Sequence, residues 1–164
     1  MHAVKPATHP DSLRLQQALG PGFLIVEFEA GTRTSADAAA AIGCSVAQIA
    51  KSVLFRTAAA NRPVLVFASG VNRIDEKKVA AAIGERIKSA DPAYVLEQTG
   101  YAVGGVPPAG HKVAPRVVID QDLAGHNPIW AAGGSAHAVF ELTFEKLVAL
   151  TGGTVAEVAR LPQR

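Results

Sequence analysis

Four stretches of this chain open on a helix-capping residue and close on a glycine: Thr34 with Gly43, Asp75 with Gly84, Asp91 with Gly100, and Thr143 with Gly152. A Thr or Asp side chain satisfies orphan N–H groups in a helix's first turn, and glycine accepts the left-handed conformation that ends a helix. The helices are therefore bounded at both ends, and apolar runs of strand length separate them: residues 23–28, 51–56, 63–68, 116–120, 128–132 and 138–142. The run at 63–68 is almost wholly apolar, as expected for a central strand. Pro10-Asp11-Ser12 opens a further amphipathic helix ending near Gly20, and Ser45-Val46-Ala47-Gln48 opens a second short helix directly after Gly43. Thr34-Ser35-Ala36-Asp37 has capping-box spacing, with Asp in place of the usual Glu or Gln. The helix after Thr143 is expected to be long, and the tail beyond Leu161 to fray.

Residues 128–132 and 138–142 are predicted to pair across a turn containing Gly133-Gly134-Ser135. A hairpin among alternating helices and strands points to a mixed α/β sheet with helices packed against it, rather than a doubly wound parallel sheet. The 164 residues suit one compact domain, residues 1–164, and 49% hydrophobic content supplies a core. Aromatics contribute only 5%, so Ala, Val, Leu and Ile must fill it. The single cysteine, Cys44, forms no internal disulfide and suits a reducing, cytoplasmic setting; it reads as a packing residue. The first residues lack the apolar core of a signal peptide, and no apolar run is long enough to span a membrane.

Several chemistries are excluded by their missing signatures. There is no G-x-S-x-G elbow, no H-E-x-x-H, no Cys/His set at zinc spacing, no Walker loop and no dinucleotide fingerprint. An enzyme of this sequence is expected to use no metal and no cofactor. The net charge of +2 neither identifies nor forbids a nucleic-acid partner.

Four features remain, each with two readings. Lys51 is either a strand-end lysine reaching solvent or a cation aimed at a phosphate or carboxylate. Gly104-Gly105-Val106-Pro107-Pro108 is either a tight connection or a rigid cradle of main-chain N–H groups for a carbonyl oxygen or phosphate. Gly133-Gly134-Ser135-Ala136-His137 is either a plain hairpin turn or a pocket rim. Arg73, Lys77 and Lys78 form either a solvated helix start or contacts to an RNA backbone. His2 and His9 read as tail residues, and His111 and His126 as exposed loop residues.

In this order the features resemble the YbaK/prolyl-tRNA-synthetase-associated editing family. The matching pieces are Ala38-Ala39-Ala40-Ala41-Ile42-Gly43, Ile49-Ala50-Lys51-Ser52-Val53-Leu54-Phe55-Arg56, Asn72-Arg73-Ile74-Asp75-Glu76-Lys77-Lys78, Thr99-Gly100-Tyr101-Ala102-Val103-Gly104-Gly105-Val106-Pro107-Pro108, the Gly133-Gly134 turn and Leu150-Thr151-Gly152-Gly153. The resemblance implies a mostly antiparallel, barrel-like mixed sheet surrounded by helices. It also implies hydrolysis of the ester in mischarged tRNA, chiefly tRNA(Pro) carrying a smaller amino acid or cysteine, with prolyl-tRNA synthetase as a further partner. Lys51 is then placed at the terminal-adenosine phosphate, with Gly104 and Gly105 at the aminoacyl carbonyl. Phe28, Ser52, Val106, Pro107, Pro108, Gly133, Gly134, Ser135 and His137 become the substrate-binding set. The family's cysteine-specific branch has an acidic residue where an ungapped count puts Val139, which leaves another small amino acid equally open. Two other readings remain: a non-catalytic tRNA or aminoacyl-ligand binding module of the same fold, and a small-molecule or nucleotide hydrolase using the same lysine and loop.

Overall fold

The computed structural model describes residues 4–28 and 34–161. Among the described residues nine strands and five α-helices follow one another as β1 (Val4–Pro6), α1 (Pro10–Leu19), β2 (Ile25–Phe28), α2 (Ser35–Ile42), β3 (Ile49–Thr57), β4 (Pro63–Ser69), α3 (Glu76–Ile83), β5 (Ile87–Ser89), α4 (Pro92–Thr99), β6 (Arg116–Asp120), β7 (Ile129–Ala132), β8 (Ala138–Leu142), α5 (Phe144–Thr151) and β9 (Thr154–Ala156). The strands form one sheet in the order β1-β2-β8-β7-β3-β4-β6-β9, with β5 added to the far end of β3. Five pairings are antiparallel (β1·β2, β2·β8, β3·β4, β3·β5 and β7·β8), whereas β3·β7, β4·β6 and β6·β9 are parallel. The sheet is thus mixed and mostly antiparallel.

The expected caps form. Thr34 Oγ1 accepts from Asp37 N at 3.1 Å, Asp75 Oδ1 from Lys77 N at 3.0 Å, Asp91 Oδ1 from Tyr94 N at 2.8 Å and Thr143 Oγ1 from Lys146 N at 3.1 Å. Each such cap is worth about 1 kcal/mol. Three expectations need correction. The helix after Thr143 is only eight residues long, because Gly152 stops it. The segment after Ser45 is one 3-10 turn, Val46–Gln48, since β3 already starts at Ile49. His9 is not a loose tail residue: its Nδ1 accepts from Asp11 N at 3.1 Å and caps α1.

All seven residues of β4 are buried, as its sequence requires between β3 and β6. Side chains of β3 alternate between the two sheet faces. Ala50 and Leu54 join the larger core with Leu65, Phe67, Ile119 and Phe140, which α1 and α5 cover through Leu15 and Leu147. On the other face Ile49 meets Ala38 and Ala39 of α2, while Phe55 meets Val79 and Ile83 of α3. Between those helices, on that face, lies Lys51. No described helix is long and apolar enough to cross a membrane.

Candidate active site

Lys51 sits near the start of β3, paired in register with Ala68. Its side chain is half-buried, and its Nζ donates to the main-chain carbonyl of Asn72. Burial pushes the Lys51 pKa down; the nearby Asp120 carboxylate opposes that shift, and the Arg73 guanidinium adds to it. Asp120 is fully buried at the end of β6. It accepts from Ser69 N at 3.0 Å and Asn72 Nδ2 at 2.8 Å through Oδ2, and from Asp122 N at 2.9 Å through Oδ1. Three donors thus satisfy the buried carboxylate, and its interaction with Lys51 opposes the downward shift of the lysine. Asn72 links the two, offering its carbonyl to the lysine and its amide to Asp120.

Ser52 points to the opposite sheet face. Its Oγ donates to the Val106 carbonyl at 2.8 Å, which fastens the glycine–proline loop to β3. Val106, Pro107 and Pro108 are buried. His111 Nε2 donates to the Pro107 carbonyl at 2.5 Å, so the loop is held at two successive carbonyls. His111 is therefore half-buried rather than an exposed loop residue, and burial lowers its pKa, partly offset by that hydrogen bond. Gly105 fits flush against the hairpin turn: a Cβ there would lie 2.8 Å from the Ser135 Cα and carbonyl carbon. Lysine, loop and turn thus surround one cavity of about 410 Å3, lined by Lys51, Ser52, Gly104, Ala136, His137 and Val139, with Thr34, Ser35 and Ala38 of α2 and Trp130 and Ala132 of β7 closing it.

Of the residues singled out from sequence, Lys51, Ser52, Gly104 and His137 line this cavity. The others do not line it. Gly105 was expected as a main-chain donor to substrate, but its N–H is spent on the Ala102 carbonyl at 3.0 Å. The Gly104 N–H has no hydrogen-bond partner among the described residues. Val106, Pro107 and Pro108 form the loop's buried foundation. Gly133 and Gly134 are buried close-packing points: a Cβ on Gly133 would meet the Ala138 backbone at 2.9 Å, and one on Gly134 the Asp11 carbonyl at 2.9 Å. Ser135 Oγ accepts from His137 N at 3.4 Å, within the turn itself. Phe28 is buried in β2 and supports the turn through its N–H, which donates to the His137 carbonyl at 2.9 Å. Lys78 is engaged by Glu157 at 2.7 Å and the Ala159 carbonyl at 2.8 Å. Lys77 is exposed on α3 and Arg73 is exposed beyond Lys51. Sequence reasoning missed Trp130, Ala132 and the start of α2 as walls, and Asn72 and Asp120 as the support of Lys51. The one usable signal for the support was a buried-type aspartate ending an apolar strand.

The β3 lysine and the tethered glycine–proline loop thus flank a small, largely apolar cavity on a mixed sheet. The chain belongs to the aminoacyl-tRNA editing domain family, whose model matches residues 29–150. It is 37% identical to the uncharacterized protein YwhH of Bacillus subtilis (strain 168) over 123 residues, which is 75% of this chain and 78% of YwhH. Two crystal structures are close to it. One, described as a candidate trans-editing enzyme for prolyl tRNA synthetase, is 40% identical with a TM-score of 0.89, covering 94% of this chain and all of the other. The second, hypothetical protein APE2540, is 29% identical with a TM-score of 0.80, covering 92% of this chain and 99% of the other.

Proposed function

We propose that this protein is a trans-editing aminoacyl-tRNA deacylase that hydrolyses the ester of mischarged tRNA, with tRNA(Pro) carrying a smaller amino acid or cysteine as substrate. The observation that carries the reading is that Lys51 and Gly104 line the same cavity, whose about 410 Å3 suits a small aminoacyl group with part of a terminal nucleotide. Membership of the editing family and likeness to the candidate trans-editing enzyme support it.

In this reading the Lys51 ammonium binds a phosphate oxygen at the RNA terminus, and the Gly104 N–H faces the aminoacyl carbonyl. A donor of that kind stabilises the oxyanion as water adds, and its loss typically costs about 3 kcal/mol. The described lining residues include no carboxylate and no thiol to act as base, nucleophile or metal ligand. Water activation is assigned to a ribose hydroxyl of the substrate, with the His137 imidazole in the lining as the alternative base that a tRNA ending in 2′-deoxyadenosine distinguishes. An aminoacyl ester is reactive enough for so modest a catalyst. The cavity's apolar walls do the selecting, since one methylene in such a pocket is worth about 1–3 kcal/mol.

The test is a panel of purified tRNAs charged with different small amino acids. Release of the amino acid by the wild type, abolished in Lys51→Ala and on tRNA ending in 2′-deoxyadenosine, is the expected result. Full retention of charge despite tight tRNA binding would instead identify a binding module. Equal turnover of free aminoacyl esters would identify a small-molecule hydrolase.

A further inference from the structure

Two arginines that the cavity does not use lie just past Lys51. Ile74 and Ala159 form an isolated antiparallel bridge, and Arg160 N donates to the Arg73 carbonyl at 2.7 Å. Arg73 and Arg160 therefore stand side by side, both exposed. Like charges placed opposite each other destabilise a strand pair. No carboxylate lies within 4.0 Å of either guanidinium among the described residues. Asp122, which lines a neighbouring hollow with both arginines, is bonded to Asn72 Nδ2 at 2.7 Å. The two arginines and Lys51 rim a groove of about 370 Å3, whose floor is Val53, Phe55 and Ile74.

We propose that this groove is a nucleotide subsite: Arg73 and Arg160 take a phosphodiester of the RNA strand whose 3′ end enters the cavity, and the apolar floor takes the adjoining base or ribose. The proposal rests on the editing reading and adds a strand path to it. Lys51 lines both hollows, so a chain leaving the cavity past Lys51 enters the groove directly. A small anion would satisfy the cations but leave the floor bare. A nucleotide covers both, because an arginine pair matches phosphate oxygens while the sugar–base unit buries apolar surface.

The experiment measures binding of a fluorescent, uncharged RNA hairpin ending in single-stranded CCA, across a salt series, to the wild type, R73Q, R160Q and the double variant. Each single variant should bind about 5-fold more weakly, with the slope of log affinity against log salt reduced by about 0.7 per arginine. K146Q, which removes a cation on α5 near Phe23, should leave affinity and slope unchanged. Turnover of a free aminoacyl ester of adenosine, which has no preceding phosphodiester, should be the same in R160Q and wild type. Wild-type affinity and slope in a double variant with native circular dichroism and melting would overturn the subsite, as would a wild type that does not bind the hairpin. The editing reading fails separately: a wild type that binds RNA through these arginines but deacylates no charged tRNA removes the activity and keeps the groove.

Discussion

Ser52 Oγ reaches across from β3 to the Val106 carbonyl at 2.8 Å and joins the lysine strand to the loop that carries Gly104. The two halves of the candidate site are thereby one mechanical unit, because Lys51 is the residue just before Ser52. Ser52→Ala leaves a carbonyl beside a residue only 3% exposed without its donor. An unsatisfied buried acceptor costs about 1–3 kcal/mol. We expect a urea midpoint lowered accordingly, and a drop in kcat/KM for charged tRNA larger than any change in RNA affinity. Unchanged stability and turnover would show that the tether is idle.

The contact between Gly105 and the Ser135 backbone makes a sharper prediction. A Cβ on Gly105 would approach three main-chain atoms of Ser135 at 2.8–2.9 Å, and main chain cannot swing aside. Gly105→Ala should therefore separate loop and turn, costing about 1–3 kcal/mol and most of the activity. Gly125→Ala is the control, since a Cβ there meets nothing within 4 Å. Its melting temperature and turnover should match the wild type.

Those contacts also mark where the sequence was legible. Caps such as Thr34 with Asp37 act three residues apart, so a single chain displays them. The order of the β3 lysine, the glycine–proline loop and the hairpin turn was visible because each is a local motif. Strands β1, β5 and β9 were not, because each has three residues and exists only through a partner: Val4 with Phe28, Lys88 with Arg56, Val155 with Ile119. Distance hid the side-chain relay too. Asn72 and Asp120 are 48 residues apart, and Lys78 finds Glu157 79 residues away, so neither pairing could be read from local sequence. Gly105 packs against the Ser135 backbone whereas Gly104 faces the cavity, a difference hidden in the sequence because a missing Cβ does not say whether ligand or backbone fills the space.

Asp120 should govern the titration of Lys51. The lysine's pKa already lies below the ordinary 10.5 because of burial, and the aspartate's charge holds it up. Replacing the carboxylate removes that support, so in Asp120→Asn the ammonium should lose its proton at lower pH than in the wild type. A pH titration of the Lys51 side-chain nitrogen by NMR reads this directly. RNA affinity should begin to fall at a correspondingly lower pH. A Lys51 pKa that stays put or rises in the variant would refute the coupling.

His111 makes a prediction about acid stability. Burial sets its folded pKa below the ordinary 6.5, so the unfolded chain takes up the proton first. Stability should therefore be full above pH 6.5 and decline as the pH falls from there towards the folded value. His111→Gln keeps a donor for the Pro107 carbonyl and removes the titration. Chemical denaturation between pH 7.5 and about pH 5 should show a shallower loss in the variant than in the wild type. Parallel curves would mean that His111 is not a source of the acid sensitivity.

The last prediction concerns which amino acid fits. Ala132 of β7 and Val139 of β8 face each other across the hairpin register and both line the cavity. Ala132 is only half-buried, so Ala132→Val fills part of the hollow without overpacking the core, and valine suits a strand. If the walls screen by size, the variant should lose turnover of the larger aminoacyl esters first. The ratio of kcat/KM between the smallest and the next larger substrate should shift by about 10-fold, as the loss of space for one methylene implies. Melting temperature and affinity for uncharged RNA should hardly move, because neither depends on the aminoacyl pocket. A uniform fall across all amino acids would place the selection elsewhere, in the loop or in the RNA strand.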